Sequence, residues 1–464
     1  MTDFDVIVIG GGTGNSVAAA AAEAGQETAL VEPGPLGGTC LNRGCNPSKM
    51  LIQRANVAET VRNGGRFGID ATIDGIDFEG FVEETESVLS GIAEDMAARY
   101  RETDGLTLYR ENAKFVDERT LAVGDETITG DRIVVAVGSR PVVPPIDGLD
   151  DVDYLTSDDA LYLDERPESL VIVGGGYIAA ELGYFFEAMG TDVRIVQSHE
   201  TLLPREDPEV AATFTEIARD RHEVYTGRRG TAVSGSPSDG EGVVVTATAE
   251  DGDEVEVAGE RLLLAVGRRP NSDTLDLDRA GIETDERGFV ETNEYLETTA
   301  ENVWAMGDVA GNFLFKHSGD YEARHAIDNV VHGERRPVDF TAVPHAVFTD
   351  PQIGGVGATE AELDEEGRDY VVGKAAYADT AMGRAKKLDE GFAKVLATPG
   401  GELFGCHVIG HEASTLVHEA VVAMQSGEGR VEDVAGAIHA HPTLNKVMEA
   451  AFRDVPTVTD SDRP

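Results

Sequence analysis

Twice in this sequence a short apolar run breaks into a glycine turn, continues as a helix and returns as a second apolar run. The first copy is Asp5-Val6-Ile7-Val8-Ile9, then Gly10-Gly11-Gly12-Thr13-Gly14-Asn15, a helical stretch from Ser16 to Ala24, and Glu27 to Glu32. The second is Ser169-Leu170-Val171-Ile172-Val173, then Gly174-Gly175-Gly176-Tyr177-Ile178-Ala179, a helix to about Met189, and Asp192 to Val196. Parallel strands need a crossover of this kind, so each copy predicts a Rossmann-like dinucleotide-binding unit and the chain an α/β fold. Gly10 and Gly174 permit the tight turn, Gly12 and Gly176 let the backbone approach a pyrophosphate, and the helix N-terminus stabilises its charge. Gly14 lies in the same loop. Asn15 stands where the motif has its third glycine, which predicts looser packing of helix on strand.

The two copies part at the end of the second strand. Glu32 sits where a carboxylate binds ribose hydroxyls, about 20 residues after the glycines. The matching position in the second copy is Gln197, followed by Ser198, His199 and Arg205. Loss of the acid removes repulsion against a 2′-phosphate, and Arg205 offers it a positive partner, which favours NADPH over NADH. The alternative is that Arg205 only offsets the neighbouring Glu206 and Asp207.

Ile133 to Gly138 and Leu262 to Gly267 each read as a buried strand ending in glycine, and Ser234 to Asp253 as hairpin turns. From about Ala342 the pattern is mixed strands and helices without a further fingerprint. The expected division is residues 1–145 for the first part of the first unit, 146–268 for the second unit, 269–340 for a return to the first, and 341–464 for an α+β domain.

The chain carries 86 acidic against 38 basic residues, a net charge of −48, spread along its 464 residues. An acidic but otherwise globular surface argues against nucleic acid or an anionic membrane as partner. Arg outnumbers Lys, a pattern suited to a salt-rich cytoplasm, where at ~1 M salt the Debye length is only ~3 Å. No apolar run approaches the length of a membrane span. Three cysteines do not make a secreted disulfide scaffold, and the N-terminus has no signal-peptide pattern, so a cytoplasmic location is expected.

Two of those cysteines, Cys40 and Cys45, lie in GGTCLNRGCNPSK, directly after the first unit. A structural zinc site needs four ligands, and no matching Cys/His cluster lies near in sequence. A structural disulfide is disfavoured in a reducing cytosol. A close thiol pair at a helix N-terminal turn suits thiol–disulfide exchange, because the helix dipole and a nearby cation favour a thiolate. Cys406, in an apolar strand, reads as a buried small residue.

This segment resembles the redox segment of the flavoprotein disulfide reductases, which include dihydrolipoyl dehydrogenases, glutathione reductases and mycothione reductases. The resemblance covers nearly the whole chain: both glycine fingerprints, Gly307-Asp308, and HAHPTLNKVMEA near the end. Gly12 to Ser16 and Val347 to Gln352 are most similar to mycothione reductases, and the acidic composition adds a likeness to the haloarchaeal bis-γ-glutamylcystine reductases. The resemblance implies FAD in the first unit, NADPH in the second, and a C-terminal dimerisation domain. It implies that hydride passes from nicotinamide to flavin and electrons then reach the Cys40–Cys45 disulfide, with Cys45 the charge-transfer thiolate and Cys40 the thiol that attacks substrate.

Further roles carried by the resemblance are an ion pair of Lys49 with Glu181 beside the flavin, Tyr177 covering the flavin until NADPH arrives, and Asp308 on the FAD ribityl region. Thr39, Ala113 and Gly138 would contact FAD, and Ile178 and Gly267 NADPH. His441 would be the acid/base, reaching the pair from the other subunit of a homodimer; a neutral imidazole can take and return the thiol proton. His439 is expected to be structural. The family's glutamate five residues after this histidine is Lys446 here, leaving Glu449 or another group to orient the ring. One or both of Arg43 and Lys446 are expected to recognise carboxylates of a small anionic disulfide, bis-γ-glutamylcystine. The bland alternative is that Arg43 packs against the flavin or a surface acid and Lys446 answers Glu449. Dihydrolipoyl dehydrogenase, or a flavin-binding assembly subunit, are the competing functions. Mercuric reductase and reductases with a redox tail are disfavoured, since Thr457 to Asp462 holds no cysteine.

Overall fold

The computed structural model describes residues 2–236, 240 and 242–457. Most of the Thr457 to Asp462 segment, and part of the turn predicted after Ser234, lie outside the described residues. Four sheets carry the architecture, accompanied by a two-stranded ribbon.

The first sheet runs in the order Leu106–Tyr109, Thr28–Val31, Thr2–Ile9, Glu126–Val135, Thr120–Val123, Ala113–Asp117. Its first four strands are parallel and the last two form an antiparallel hairpin. The strand Glu126–Val135 shares one edge between two partners: its first half pairs with Thr120–Val123 and its second half with Val303–Ala305. Burial explains the apolar run that opens the chain. Val6 and Val8 join one core and Ile7 and Ile9 another, so both faces of the sheet are covered, as a parallel sheet requires.

The second sheet is fully parallel, in the order Glu223–Tyr225, Asp192–Val196, Ser169–Val173, Arg261–Leu264. Leu170 and Ile172 face one core, Val171 and Val173 the other. A three-stranded antiparallel sheet of Arg228–Ser236, Gly242–Ala249 and Glu254–Gly259 packs beside it. The fourth sheet is antiparallel throughout, in the order His345–Val347, Gln352–Gly357, Leu403–Gly410, Phe392–Ala397, Val371–Ala376.

Just beyond the strand-ending glycines 138 and 267, Ser139–Pro141 and Arg268–Pro270 pair with each other. The ribbon ties the two glycine units together beside the cavity that both line. No helix among the described residues is long and apolar enough to cross a membrane.

Close approach of helix to strand is kept in the first unit despite Asn15. A Cβ on Gly14 would lie 2.8 Å from Val8 Cγ1 and 2.9 Å from Ala136 Cβ, so Gly14 meets the packing demand. Asn15 instead turns its carboxamide toward Met96 Sδ at 3.3 Å. The loosening expected from the missing glycine is therefore not found.

Candidate active site

The segment holding the cysteines folds as two consecutive helices, Gly38–Arg43 and Cys45–Arg62, broken at Gly44. Cys40 lies on the first and Cys45 opens the second, so both thiols meet at one helix N-terminus. They are not joined by a disulfide. The Cys45 pKa is lowered to about 6, chiefly by the Cys40 thiol donating to it and then, against burial, by the Lys49 ammonium. Cys40 is pushed upward by Cys45 and by burial. The pair is therefore polarised, with the proton on Cys40 and the negative charge on Cys45.

One helical turn on, Lys49 donates to Glu181 Oε2 at 2.5 Å, joining the Cys45–Arg62 helix to the Tyr177–Ala188 helix of the second unit. Glu181 is buried and its other oxygen accepts from Phe348 N at 3.0 Å, which fixes the carboxylate. The Lys49 ammonium also rests over the Phe348 ring, 4.6 Å from its centre. Three parts of the chain thus converge beside the thiols.

All of this faces one cavity of about 3310 Å³, well above the ~300–1,000 Å³ of a pocket for one drug-sized ligand. Gly10, Gly12, Glu32, Thr39, Ala113, Gly138, Gly174, Gly176, Tyr177, Ile178, Ser198, His199, Arg205, Gly267 and Asp308 all line it, together with both cysteines. Gly14 stays inside the helix–strand contact. The residues fit two dinucleotides. Both glycine loops end at helices whose first residues have no side-chain cap, leaving N–H donors free for phosphate. A Cβ on Gly138, Gly176 or Gly267 would meet nothing within 4 Å, so the backbone there lies open to a ligand. Glu32 is held by Gly11 N at 2.7 Å and Gly34 N at 2.8 Å, with lone pairs left for hydroxyls. Asp308 accepts from Ser139 Oγ at 2.5 Å.

At the second loop Gln197 is buried and donates to Thr201 O at 3.3 Å. Arg205 is exposed, and no ion pair engages it among the described residues. Its neighbours are committed elsewhere: Glu206 to His345 at 2.9 Å and Asp207 to Lys394 at 2.8 Å. Neither acid is paired with Arg205.

Comparison with known proteins agrees with this geometry. Residues 4–335 match the family described as pyridine nucleotide-disulphide oxidoreductase, and residues 343–452 its dimerisation domain. The chain belongs to that family. It is 38% identical to a dihydrolipoyl dehydrogenase of Haloferax volcanii over 469 residues, 97% of this chain and 96% of that one. It is 37% identical to the mycothione reductase of Mycobacterium tuberculosis over 464 residues, 97% and 99% of the two chains. Among solved structures, the HOCl-induced flavoprotein disulfide reductase RclA from Escherichia coli superposes with a TM-score of 0.83 at 27% identity, covering 97% of this chain and 99% of that one. This oxidoreductase therefore works on disulfides with a flavin and a pyridine nucleotide.

Two expected site residues of the oxidoreductase stand apart from the cavity within one chain. His441 is exposed and does not line the cavity that holds the cysteines. Lys446 is bonded to Glu449, which also takes Arg453 at 2.8 Å. Glu449 is thereby committed and does not orient His441, and Lys446 is not a free cation, so the bland alternative for Lys446 is the one found. Arg43 is half-exposed, 3.7 Å from Asp158, and remains at the cavity mouth. His439 is paired with Glu419 at 2.9 Å, and burial pushes the Cys406 thiol up to about 12.

Sequence reading missed Arg268. Its guanidinium donates to Ser139 Oγ at 2.8 Å and Ser139 O at 2.7 Å and lies 4.0 Å from Asp308, so a partly buried cation stands behind the Asp308 carboxylate. Its place directly after the strand-ending Gly267 was the available signal, since the residue leaving a cavity-facing strand end turns into the site.

Proposed function

We propose that this oxidoreductase is an NADPH-dependent, FAD-containing reductase of a low-molecular-weight disulfide, with bis-γ-glutamylcystine as its substrate. The observation that carries the reading is the polarised Cys40–Cys45 pair in one cavity with a second glycine loop that lacks a ribose acid. When bound, the flavin and nucleotide supply two electrons to the pair.

The chain's own residues supply the rest. Cys40 attacks one sulfur of the substrate, the substrate S–S bond breaks, and the first thiol leaves. Cys45 then attacks Cys40 Sγ, the mixed disulfide breaks, and the second thiol leaves as the internal disulfide re-forms. Two electrons and two protons are consumed for two thiols released. Because Cys40 is pushed upward, its attack needs a base, and His441 of the partner subunit fills that role in a homodimer built through residues 343–452. Lys49 and Glu181 hold charge beside the reacting centre, Tyr177 covers the flavin until the nucleotide arrives, and Arg43 meets a substrate carboxylate. A reducing cytoplasm is the setting such a thiol cycle requires.

The haloarchaeal relatives named as dihydrolipoyl dehydrogenases favour a second reading, with dihydrolipoamide and NAD. Comparison of kcat/KM for bis-γ-glutamylcystine, glutathione disulfide, mycothione and lipoamide, each with NADPH and NADH, decides between them. The expected result is at least tenfold preference for bis-γ-glutamylcystine with NADPH. Highest efficiency with lipoamide and NADH would establish the second reading instead.

A further inference from the structure

Each thiol of the pair has a lysine and a carboxylate of its own. Cys45 feels Cys40 first, then burial, and then Lys49, which lowers it, and Glu181, which opposes the lysine. Cys40 feels Cys45 first, then burial, and then Lys316, which lowers it, and Asp320, which opposes the lysine. The two lysine–carboxylate pairs are alike in form, since Lys316 is bonded to Asp320 as Lys49 is to Glu181. They differ in setting. Lys49–Glu181 joins two units of the chain, whereas Lys316 and Asp320 lie one turn apart on the single helix Lys316–Ala326.

The first glycine loop brings this helix to Cys40. A Cβ on Gly38 would lie 2.7 Å from Gly12 Cα, and a Cβ on Gly319 would lie 3.2 Å from Thr13 Cγ2. Consecutive residues of one loop therefore seat the Gly38–Arg43 helix, which carries Cys40, and the Lys316–Ala326 helix. Lys316 is the first residue of the latter, and His317 anchors that end by meeting Pro344 O at 2.6 Å. Lys316, His317, Gly319 and Asp320 all line the cavity that holds both cysteines. Other groups around Cys40 are committed or uncharged. Asn46 Oδ1 accepts from Cys40 Sγ at 3.7 Å, Arg43 lies 3.7 Å from Asp158, and Lys49 is held by Glu181.

We propose that Lys316 is a positioning residue for the attacking thiol: its ammonium stabilises the Cys40 thiolate as it forms, and Asp320 sets how much of that charge the sulfur feels. The inference rests on the reading of Cys40 as the thiol that attacks substrate. Once the base has taken the Cys40 proton, two thiolates stand side by side, and Lys49 acts on Cys45. A second cation on the Cys40 side lets both charges exist until the Cys40 sulfur bonds to substrate. With Asp320 beside it, the lysine does this without keeping Cys40 ionised at rest, so the resting negative charge stays on Cys45.

The test uses the holoenzyme carrying Cys45→Ser, in which Cys40 titrates alone. Alkylation of Cys40 by iodoacetamide is followed at one salt concentration from about pH 6 to about pH 11, either side of an ordinary thiol, with the adduct mapped by mass spectrometry. Adding Lys316→Met is expected to raise the midpoint by about 0.5–1 pH unit, and adding Asp320→Asn to lower it by about as much. Lys316→Arg should leave it in place. Opposite signs separate an effect of charge from loosened packing, which would move both variants the same way. Midpoints that stay fixed, or move together, would overturn the proposal, and Asp320→Asn decides it even where Lys316→Met fails to fold. The reading beneath it is checked by trapping with a small disulfide such as bis-γ-glutamylcystine. Cys45→Ser should hold a mixed disulfide on Cys40 and release one thiol. A mixed disulfide on Cys45 in Cys40→Ser, with none on Cys40 in Cys45→Ser, would sink that reading and this proposal together. Trapping on Cys40 with fixed midpoints sinks this proposal alone.

Discussion

The two glycine loops are nearly the same object built twice. Gly10 has φ of +112° and Gly174 of +113°. A Cβ on the first would lie 2.2 Å from Ala136 O, and on the second 2.3 Å from Ala265 O. In both, the loop glycine is pressed against the strand that ends the unit, and no other residue tolerates that fit. They diverge one strand later. Glu32 presents a carboxylate braced by two backbone N–H groups, while Gln197 presents a neutral amide turned toward its own loop. Backbone geometry makes each a dinucleotide cradle. On the proposed reading, the side chain at the strand end decides the charge that the cradle accepts, and so which nucleotide belongs in which.

The largest effect should come from filling the glycine positions one at a time. Gly10→Ala forces a Cβ into backbone at a strained φ, an overpacking of about 1–3 kcal/mol or more. The purified protein is expected to lose its FAD, seen as loss of the flavin absorbance. Gly174→Ala should keep FAD and lose reduction by NADPH. Identical losses in the two variants would mean that the cradles are not separate sites.

The Gly174→Ala protein also isolates the cysteine pair from the nucleotide. Reduced with dithionite, it should still develop a long-wavelength band from the Cys45 thiolate beside oxidised flavin. Cys45 is lowered to about 6, so the thiolate persists above that pH and the band fades as pH falls through it. Cys45→Ser should abolish the band and Cys40→Ser retain it. A band that titrates near 9, the value of an ordinary thiol, would remove the polarisation on which the assignment stands.

Gln197→Glu makes the second cradle resemble the first. Repulsion of the 2′-phosphate is expected to cut kcat/KM for NADPH by about tenfold to a hundredfold, and NADH should become the better coenzyme, each tenfold step corresponding to about 1.4 kcal/mol. The smallest effect is Arg205→Ala, where an exposed cation contributes modestly and NADPH efficiency should fall about threefold to tenfold, with NADH unaffected. Equal losses with both coenzymes would place Arg205 elsewhere than at the 2′-phosphate.

The features legible in the sequence were those encoded within about 30 residues. Each unit announces itself through a strand, a loop, a helix and a returning strand, and the cysteines through their spacing. The Lys49–Glu181 pair spans 132 residues and came from family resemblance rather than pattern. Arg268 on Ser139, and Glu206 on His345, escaped both, because each depends on which strands lie side by side. Local rules also misjudged Asn15, whose packing duty had moved one residue back to Gly14. Lys446 could be read from its neighbours only as a choice, and its bond to Glu449 settled that choice.

The strand Glu126–Val135, with one edge divided between an adjacent hairpin and the distant Val303–Ala305, has a consequence for how this chain comes off the ribosome. The sheet that carries the first cradle cannot close until residue 305 has been synthesised. The parallel sheet of the second cradle draws only on residues between 169 and 264. The inner unit is therefore complete in sequence while the outer one still waits, with the apolar edge of Ile133 to Val135 unpaired. Domains tend to fold as units in the order they emerge, and here the later-starting unit is the first able to finish. The outer sheet then closes around a partner already folded, and the interval between the two is when the nascent protein is most exposed to aggregation.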